Sequence, residues 1–455
     1  MTMVGRFRRI RRAVLAGVVL GLAQHARAEP WPPDYLIGAQ STVVWQHVSA
    51  FRSPYVGTNS FRPGPDDAIS HSYTVYTGVR LRQWLELYVD PEMIRGGGLS
   101  DALGLAGFTN GEVIRNPTIG QSPYLARAFL RATVPLANTS EGVEAAPLQV
   151  PGEHPSRRLV FTGGVLATTD VFETNRYANN TRTQFLDWAL INDAAYDFAA
   201  DTRGYTRGAA LEWANPGWTI RAGSFQMPTI ANGEVLDDDL LHNHGDQLEI
   251  EAQRPIVPER PTVVRVLAFH NRAAMGNYRE ALALAARTGT RPDITRTRRQ
   301  NAVKYGFAIN LEQPLTPDGA TGLFARLGWN DGATESFAFT EADRSGSAGV
   351  QIGGALWRRD DDRLGLGLVA NGLGRAHASY LRHGGLGFVL GDGRLRYRPE
   401  TIVEAYYALR VLSWIWITGD YEFIADPGYN SDRGPISVVS LRVHLEKLFG
   451  GHDRS

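Results

Sequence analysis

Charged side chains flanked on both sides by apolar or small neighbours recur along this chain: Arg80, Glu86, Arg127, Arg131, Arg221, Glu249, Glu251, Arg265, Lys304, Arg326 and Glu404. Leu85 and Leu87 bracket Glu86, and Leu248 and Ile250 bracket Glu249. On a strand that spacing sends the charges to one face and the apolar groups to the other. Opposed charges on the inner face of a pore bind a polar solute well enough to admit it and weakly enough to release it. Such guanidinium-rich chemistry suits hydroxyl-rich or carboxylate-bearing solutes, which need donors and acceptors at the edge and sometimes a flat surface beneath. A long segment from Glu173 to Tyr205 adds Asn179, Asn180, Arg182 and Trp188, amide and guanidinium donors with an indole, and is long enough to fold into such a pore.

Other constellations carry less. Asp237 to Asp246 (DDDLLHNHGD) gathers carboxylates and two imidazoles but lacks the spacing of a calcium loop, so no metal or cofactor is expected. No G-x-S-x-G elbow, H-E-x-x-H or phosphate loop occurs, and no enzymatic activity is expected. Cysteine is absent, which removes disulfides, thiolate metal sites and thiol nucleophiles. A formal net charge of zero argues against nucleic-acid binding. Lysine occurs only at 304 and 447, so the cationic chemistry is that of the planar guanidinium.

The elements that position these groups follow from a period of two. Val303, Tyr305, Phe307, Ile309 and Leu311 fall on one face, and Lys304, Gly306, Ala308, Asn310 and Glu312 on the other. Alternating segments of about ten residues are the signature of strands that cross a membrane in a closed barrel. The pattern predicts strands at 35–46, 71–82, 84–93, 123–134, 158–168, 205–214, 217–226, 245–254, 262–271, 302–312, 321–330, 346–357, 363–371, 400–412, 414–425 and 436–447. The expected fold is all-β: a closed antiparallel transmembrane barrel of sixteen strands, with short periplasmic turns and long extracellular loops. One connection breaks that alternation, because 135–157 should be periplasmic yet is long and rich in Pro and Glu. Trp45, Trp84, Trp213, Trp218, Trp329, Trp357, Trp414 and Trp416 fall near strand ends, where barrels carry aromatic girdles.

The first 28 residues read as a cleaved export signal. Basic residues from Arg6 to Arg12 precede an apolar run from Ala13 to Ala23 and an Ala26-Arg27-Ala28 site. That run is too short to span a bilayer as a helix. The barrel then occupies 29–455, with a short tail at 450–455 after Phe449, the terminal aromatic residue that barrel-assembly machinery reads. The expected location is the bacterial outer membrane, with its lipid as one partner.

An ordered set of segments resembles the carbohydrate-selective porins of the OprB type. They are Ala106 to Glu112 (AGFTNGE), Arg182 to Leu190 (RTQFLDWAL), Gly245 to Glu249 (GDQLE), Val303 to Gln313 (VKYGFAINLEQ), Asn371 to His377 (NGLGRAH), Gly384 to Glu400 (GGLGFVLGDGRLRYRPE) and Tyr429 to Pro435 (YNSDRGP). The resemblance implies a sixteen-stranded barrel with inward-folded loops, a polar constriction and passive uptake of glucose-like sugars. Three other readings remain. A polysaccharide exporter should have a more one-sided arginine lumen than Glu86, Glu249, Glu251 and Glu404 allow. An outer-membrane hydrolase needs a Ser–His pair that the sequence does not offer. A secreted carbohydrate-binding protein should stay soluble without detergent.

Overall fold

The computed structural model describes residues 34–115 and 119–451; the expected export signal and the last four residues of the expected tail lie outside them. Sixteen strands close a barrel among the described residues: β1 (Tyr35–Val48), β2 (Asp66–Arg82), β3 (Leu85–Gly96), β4 (Tyr124–Pro135), β5 (Arg158–Leu166), β6 (Thr206–Asn215), β7 (Trp218–Gln226), β8 (His244–Val257), β9 (Arg260–Met275), β10 (Arg299–Pro314), β11 (Gly322–Asn330), β12 (Arg344–Gly353), β13 (Arg363–Gly372), β14 (Glu400–Leu412), β15 (Ile415–Ala425) and β16 (Ile436–Gly451). Every strand pairs antiparallel with its chain neighbours. β1 closes on β16 from Tyr35↔Gly451 to Val48↔Val438, so no strand edge is left for lipid to solvate. Among the described residues no helix is long and apolar enough to cross a membrane.

The alternation that marks the strands also sets which way they face. Along β8, Leu248 and Ile250 are 49% and 51% exposed, whereas Glu249 and Glu251 between them are 0% and 4% exposed. β10 does the same, with Val303, Tyr305, Phe307 and Ile309 outward and Lys304 and Asn310 buried. Holding a Leu, Ile or Phe side chain in water costs about 1.5–3 kcal/mol relative to burial, so this outward band fits lipid. At the barrel's two-residue turns the aromatic girdle is visible: Trp213 and Trp218 flank 216–217 and meet edge-on at 5.1 Å. Gly217 has φ +84°, which the second central residue of a Pro-Gly turn requires.

The structure departs from the sequence reading in a few places. β2 starts at Asp66 rather than 71, since it continues pairing with the long β1 up to Val48↔Asp66. β12 stops at Gly353 because Gly354–Trp357 curls into a helical turn, with Arg358 at φ +64°. β16 runs on to Gly451, shortening the expected tail. The irregular connection holds a two-stranded ribbon, Ser140–Val143 with Gly152–Pro155. Among the described residues three α-helices sit in long loops: α1 (Trp188–Ile191), α2 (Tyr278–Thr288) and α3 (Arg375–Arg382). Asn277 accepts from the Arg279 and Glu280 amides to cap α2, and Gly289 ends it in the left-handed conformation.

Candidate pore-lining site

The segment 167–205, between β5 and β6, turns inward and is buried along most of its length. Asx turns fold it, because a short carboxylate or amide can hold a backbone N–H two residues on. Asn175 accepts from Tyr177, Asn180 from Arg182, Asp187 from Ala189, Asp193 from Ala195 and Asp201 from Arg203. Phe172, Tyr177, Phe185, Leu190, Tyr196 and Phe198 are thereby gathered and buried. Trp188 stacks on Phe339 of another long loop at 4.6 Å. Asn179 is spent inside the segment, donating to the Ile191 carbonyl at 3.2 Å.

Wall residues hold this segment in place. Arg326 on β11 and Glu173 are both 1% exposed and meet at 2.6 Å. The other Arg326 nitrogens donate to the carbonyls of Ala178, Leu190 and Ile191. Glu404 on β14 accepts from the amides of Leu186 (2.5 Å) and Asp187 (3.1 Å). Lys304 on β10 is fully buried 3.0 Å from Asp197, and Glu249 accepts from the Glu173 amide at 2.8 Å. Strand phase turns Lys304, Arg326, Glu404 and Glu249 inward as expected. The inserted segment then covers them, so they brace it instead of facing open water. Burial, and then the nearby Glu173, raises the Asp193 carboxyl to about 7.

Arg221, Glu251, Arg265, Arg80, Glu86 and Arg131 form two charge networks on the wall. Arg221 bridges Glu212, Glu249 and Glu251 at 2.8–2.9 Å, and Arg265 continues from Glu251 to Glu312. Near the turn end, Arg80 pairs with Asp34 and Glu86, and Arg131 lies 3.9 Å from Glu86 and over the Tyr88 ring at 5.0 Å.

A third group, only partly anticipated, surrounds Glu92 on β3. Its carboxylate accepts from Tyr124 (2.7 Å), Tyr205 (2.6 Å), Thr74 (2.7 Å) and Arg182 (2.8 Å). Arg182 also reaches Tyr76 at 3.0 Å and Glu112 at 3.1 Å. Arg127 forks onto Asp170 with two 2.7 Å bonds and lies over the Tyr205 ring at 5.2 Å; Arg203 lies over Tyr124 at 4.9 Å. Burial and the neighbouring Glu92 push the Tyr205 phenol well up, which keeps it a donor. Arg127 was a lumen candidate by strand phase and Arg182 a loop candidate, neither with a height along the barrel. Glu92 shares the inward phase of Glu86 and was legible on that ground, whereas Tyr76, Glu112, Asp170, Arg203 and Tyr205 meet only through the fold. Among the described residues no three His, Asp or Glu side chains converge as a metal site, and the 237–246 run is loop up to Asn243, where His242 pairs with Asp239, and strand β8 from His244 on.

Comparison with known proteins agrees with this architecture. The fold matches Pseudomonas putida OprB, solved at high pH, with TM-score 0.69 and 15% identity over 91% of this chain and 94% of that one. A BenF-like porin from Pseudomonas fluorescens aligns at TM-score 0.44 and 8% identity, covering 92% and 99%. Vibrio cholerae OmpT aligns at 0.43 and 10%, covering 93% and 99%. No curated protein matches the sequence significantly. The model of the carbohydrate-selective porin family matches residues 59–446, and the chain therefore belongs to the OprB family.

Proposed function

We propose that this outer-membrane porin passes glucose-sized neutral sugars, and that the group around Glu92 is where they are sorted. The observation that carries the reading is the mixture of partners at one place: the carboxylates Glu92, Glu112 and Asp170, the guanidinia of Arg127, Arg182 and Arg203, and the rings of Tyr124 and Tyr205. Hydroxyls find both donors and acceptors there, and the rings offer a flat apolar surface. The balance of signs disfavours an exporter of acidic polysaccharide, which would gain from a wall of one charge. The protein acts by diffusion, without catalysis.

Export through a leader cleaved after Ala28 and insertion by the barrel-assembly machinery belong to the same reading. Phe449, outward near the end of β16, is the terminal aromatic signal. Single-channel conductance of the purified porin in planar bilayers should fall as glucose is added. Conductance indifferent to every mono- and disaccharide would leave the barrel and remove the sugar.

A further inference from the structure

We infer that the connection 136–157 is a second selectivity filter, a collar seated inside the exit on the side of the short turns. Four turns at that end of the barrel, 83–84, 216–217, 258–259 and 413–414, are two residues each, and the other two, 315–321 and 354–362, are far shorter than 136–157. The 136–157 segment instead leaves β4 and forms the ribbon Ser140–Val143/Gly152–Pro155. Its tip then bends back to the inner wall.

The contacts of that tip run across adjacent strands. Val150 is fully buried with Leu36, Tyr88 and Phe129, and its amide donates to the Tyr88 hydroxyl at 3.1 Å. The Leu148 carbonyl accepts from Arg131 at 2.7 Å. A side chain at Gly78 on β2 would strike Val150, and one at Gly450 on β16 would strike Ala145 and Pro151. Gly152, at φ +137°, lies against the Arg80 guanidinium. The tip therefore touches β16, β1, β2, β3 and β4, five consecutive strands of the closed ring. Leu148 holds φ +59°, a left-handed conformation that costs a non-glycine residue energy and is kept only where surrounding contacts enforce it.

This seat has a consequence for transport. The inner face at the exit would otherwise present Arg80 and Arg131 to any passing solute. The collar covers Arg80 with backbone, occupies Arg131 with a carbonyl, and sets partly exposed, apolar Leu148 in the opening, anchored by buried Val150. A solute that has passed the Glu92 group must next pass an aperture that sorts by size more than by charge.

The chain contains no cysteine, so a single introduced thiol is a unique target. In L148C, labelling with a bulky charged thiol reagent, confirmed by mass, should cut single-channel conductance. The same label on S140C, exposed at the end of the ribbon away from the tip, should not. Replacing 144–151 by a short Gly-Ser link should raise the swelling rate of liposomes in a disaccharide, relative to a monosaccharide, by about twofold. Unchanged conductance in fully labelled L148C overturns the collar, whether or not the excision variant folds; an unchanged swelling ratio in a folded excision variant overturns it too. The inference rests on the porin reading but not on the sugar at Glu92: if glucose fails to block the parent channel while labelled L148C still loses conductance, the collar stands and the sugar site falls.

Discussion

Replacing Arg326 with alanine tests whether wall charges position the inserted segment. In the parent, Arg326 satisfies Glu173 and three backbone carbonyls, and both charged side chains are 1% exposed. Removing one partner of such a pair leaves the other buried without compensation, at a cost of about 3–5 kcal/mol. The barrel need not bear that cost, because the backbone pairing of β11 with β10 and β12 does not involve the side chain. The segment 167–205 can relieve it by leaving the wall. Its opening equilibrium should then rise roughly a hundred- to few-thousand-fold. Hydrogen exchange of the detergent-folded porin should show faster exchange confined to that segment, and bilayer recordings should show a larger, noisier conductance. Arg207, more than half exposed and 3.5 Å from Asp238, is the control, since exposed pairs contribute about 0–1 kcal/mol. Exchange in R326A equal to that of the parent would refute the bracing argument.

Other outcomes are expected on the same grounds. Asp193 is raised to about 7 by burial and by Glu173, so its ionisation opposes the folded segment. The segment is then most stable below the ordinary carboxylate pKa near 4 and loses stability as pH rises from about 4 to about 7. D193N should flatten that slope in hydrogen exchange measured at acidic and alkaline pH, and an unchanged slope would assign the dependence to another group. R127A leaves Asp170 without its guanidinium and should move the reversal potential in a salt gradient toward cation selectivity, while D170N should move it the other way. A reversal potential untouched by R127A would take Arg127 out of the permeation path. R131A should give a smaller cation shift, because the Leu148 carbonyl already occupies part of that guanidinium.

The barrel was legible because its rule is local. Alternation between neighbours distinguishes lipid from lumen, and each of the sixteen expected segments overlaps a barrel strand. The same rule turned Glu249 and Glu251 inward and Leu248 and Ile250 outward. It could not tell which inward groups stay open, since that depends on pairs as distant in sequence as Leu186 and Glu404 or Glu173 and Arg326. Height along the barrel was hidden for a similar reason: it follows from strand register, such as Glu92 opposite Thr74, and not from phase. Helix α2 had a local signature that the strand reading passed over, with Asn277 before it, Gly289 after it, and Tyr278, Ala281 and Ala285 at helical spacing. The irregular length of 135–157 was visible, but its return to the inner wall was not, because Val150 meets Tyr88 across a long stretch of chain.

The inner face of this barrel mixes charged groups with an apolar patch that includes Phe324, Val369, Ile402 and Tyr406, so the inserted segment is held by burial against the wall as well as by directed polar contacts. The segment adds apolar material of its own: Phe185 packs edge-on against Phe324 of β11 at 5.5 Å and Tyr406 of β14 at 5.0 Å, and Trp188 and Phe198 lie against Phe339 of another loop. The result is a small core enclosed by a barrel whose larger apolar surface faces lipid. Buried ion pairs are weak sources of net stability, since desolvation offsets much of their attraction. Their directionality, however, fixes a position that dispersion forces alone would leave loose. Lys304 meets the segment at 197 and Glu404 at 186–187, while Arg326 ties 173 and 178 to 190–191, and together they set its height and rotation. Arg182 and Tyr205 reach Glu92 only from that position. The width and chemistry of the passage are therefore properties of the enclosed core and its braces as much as of the strands that surround them.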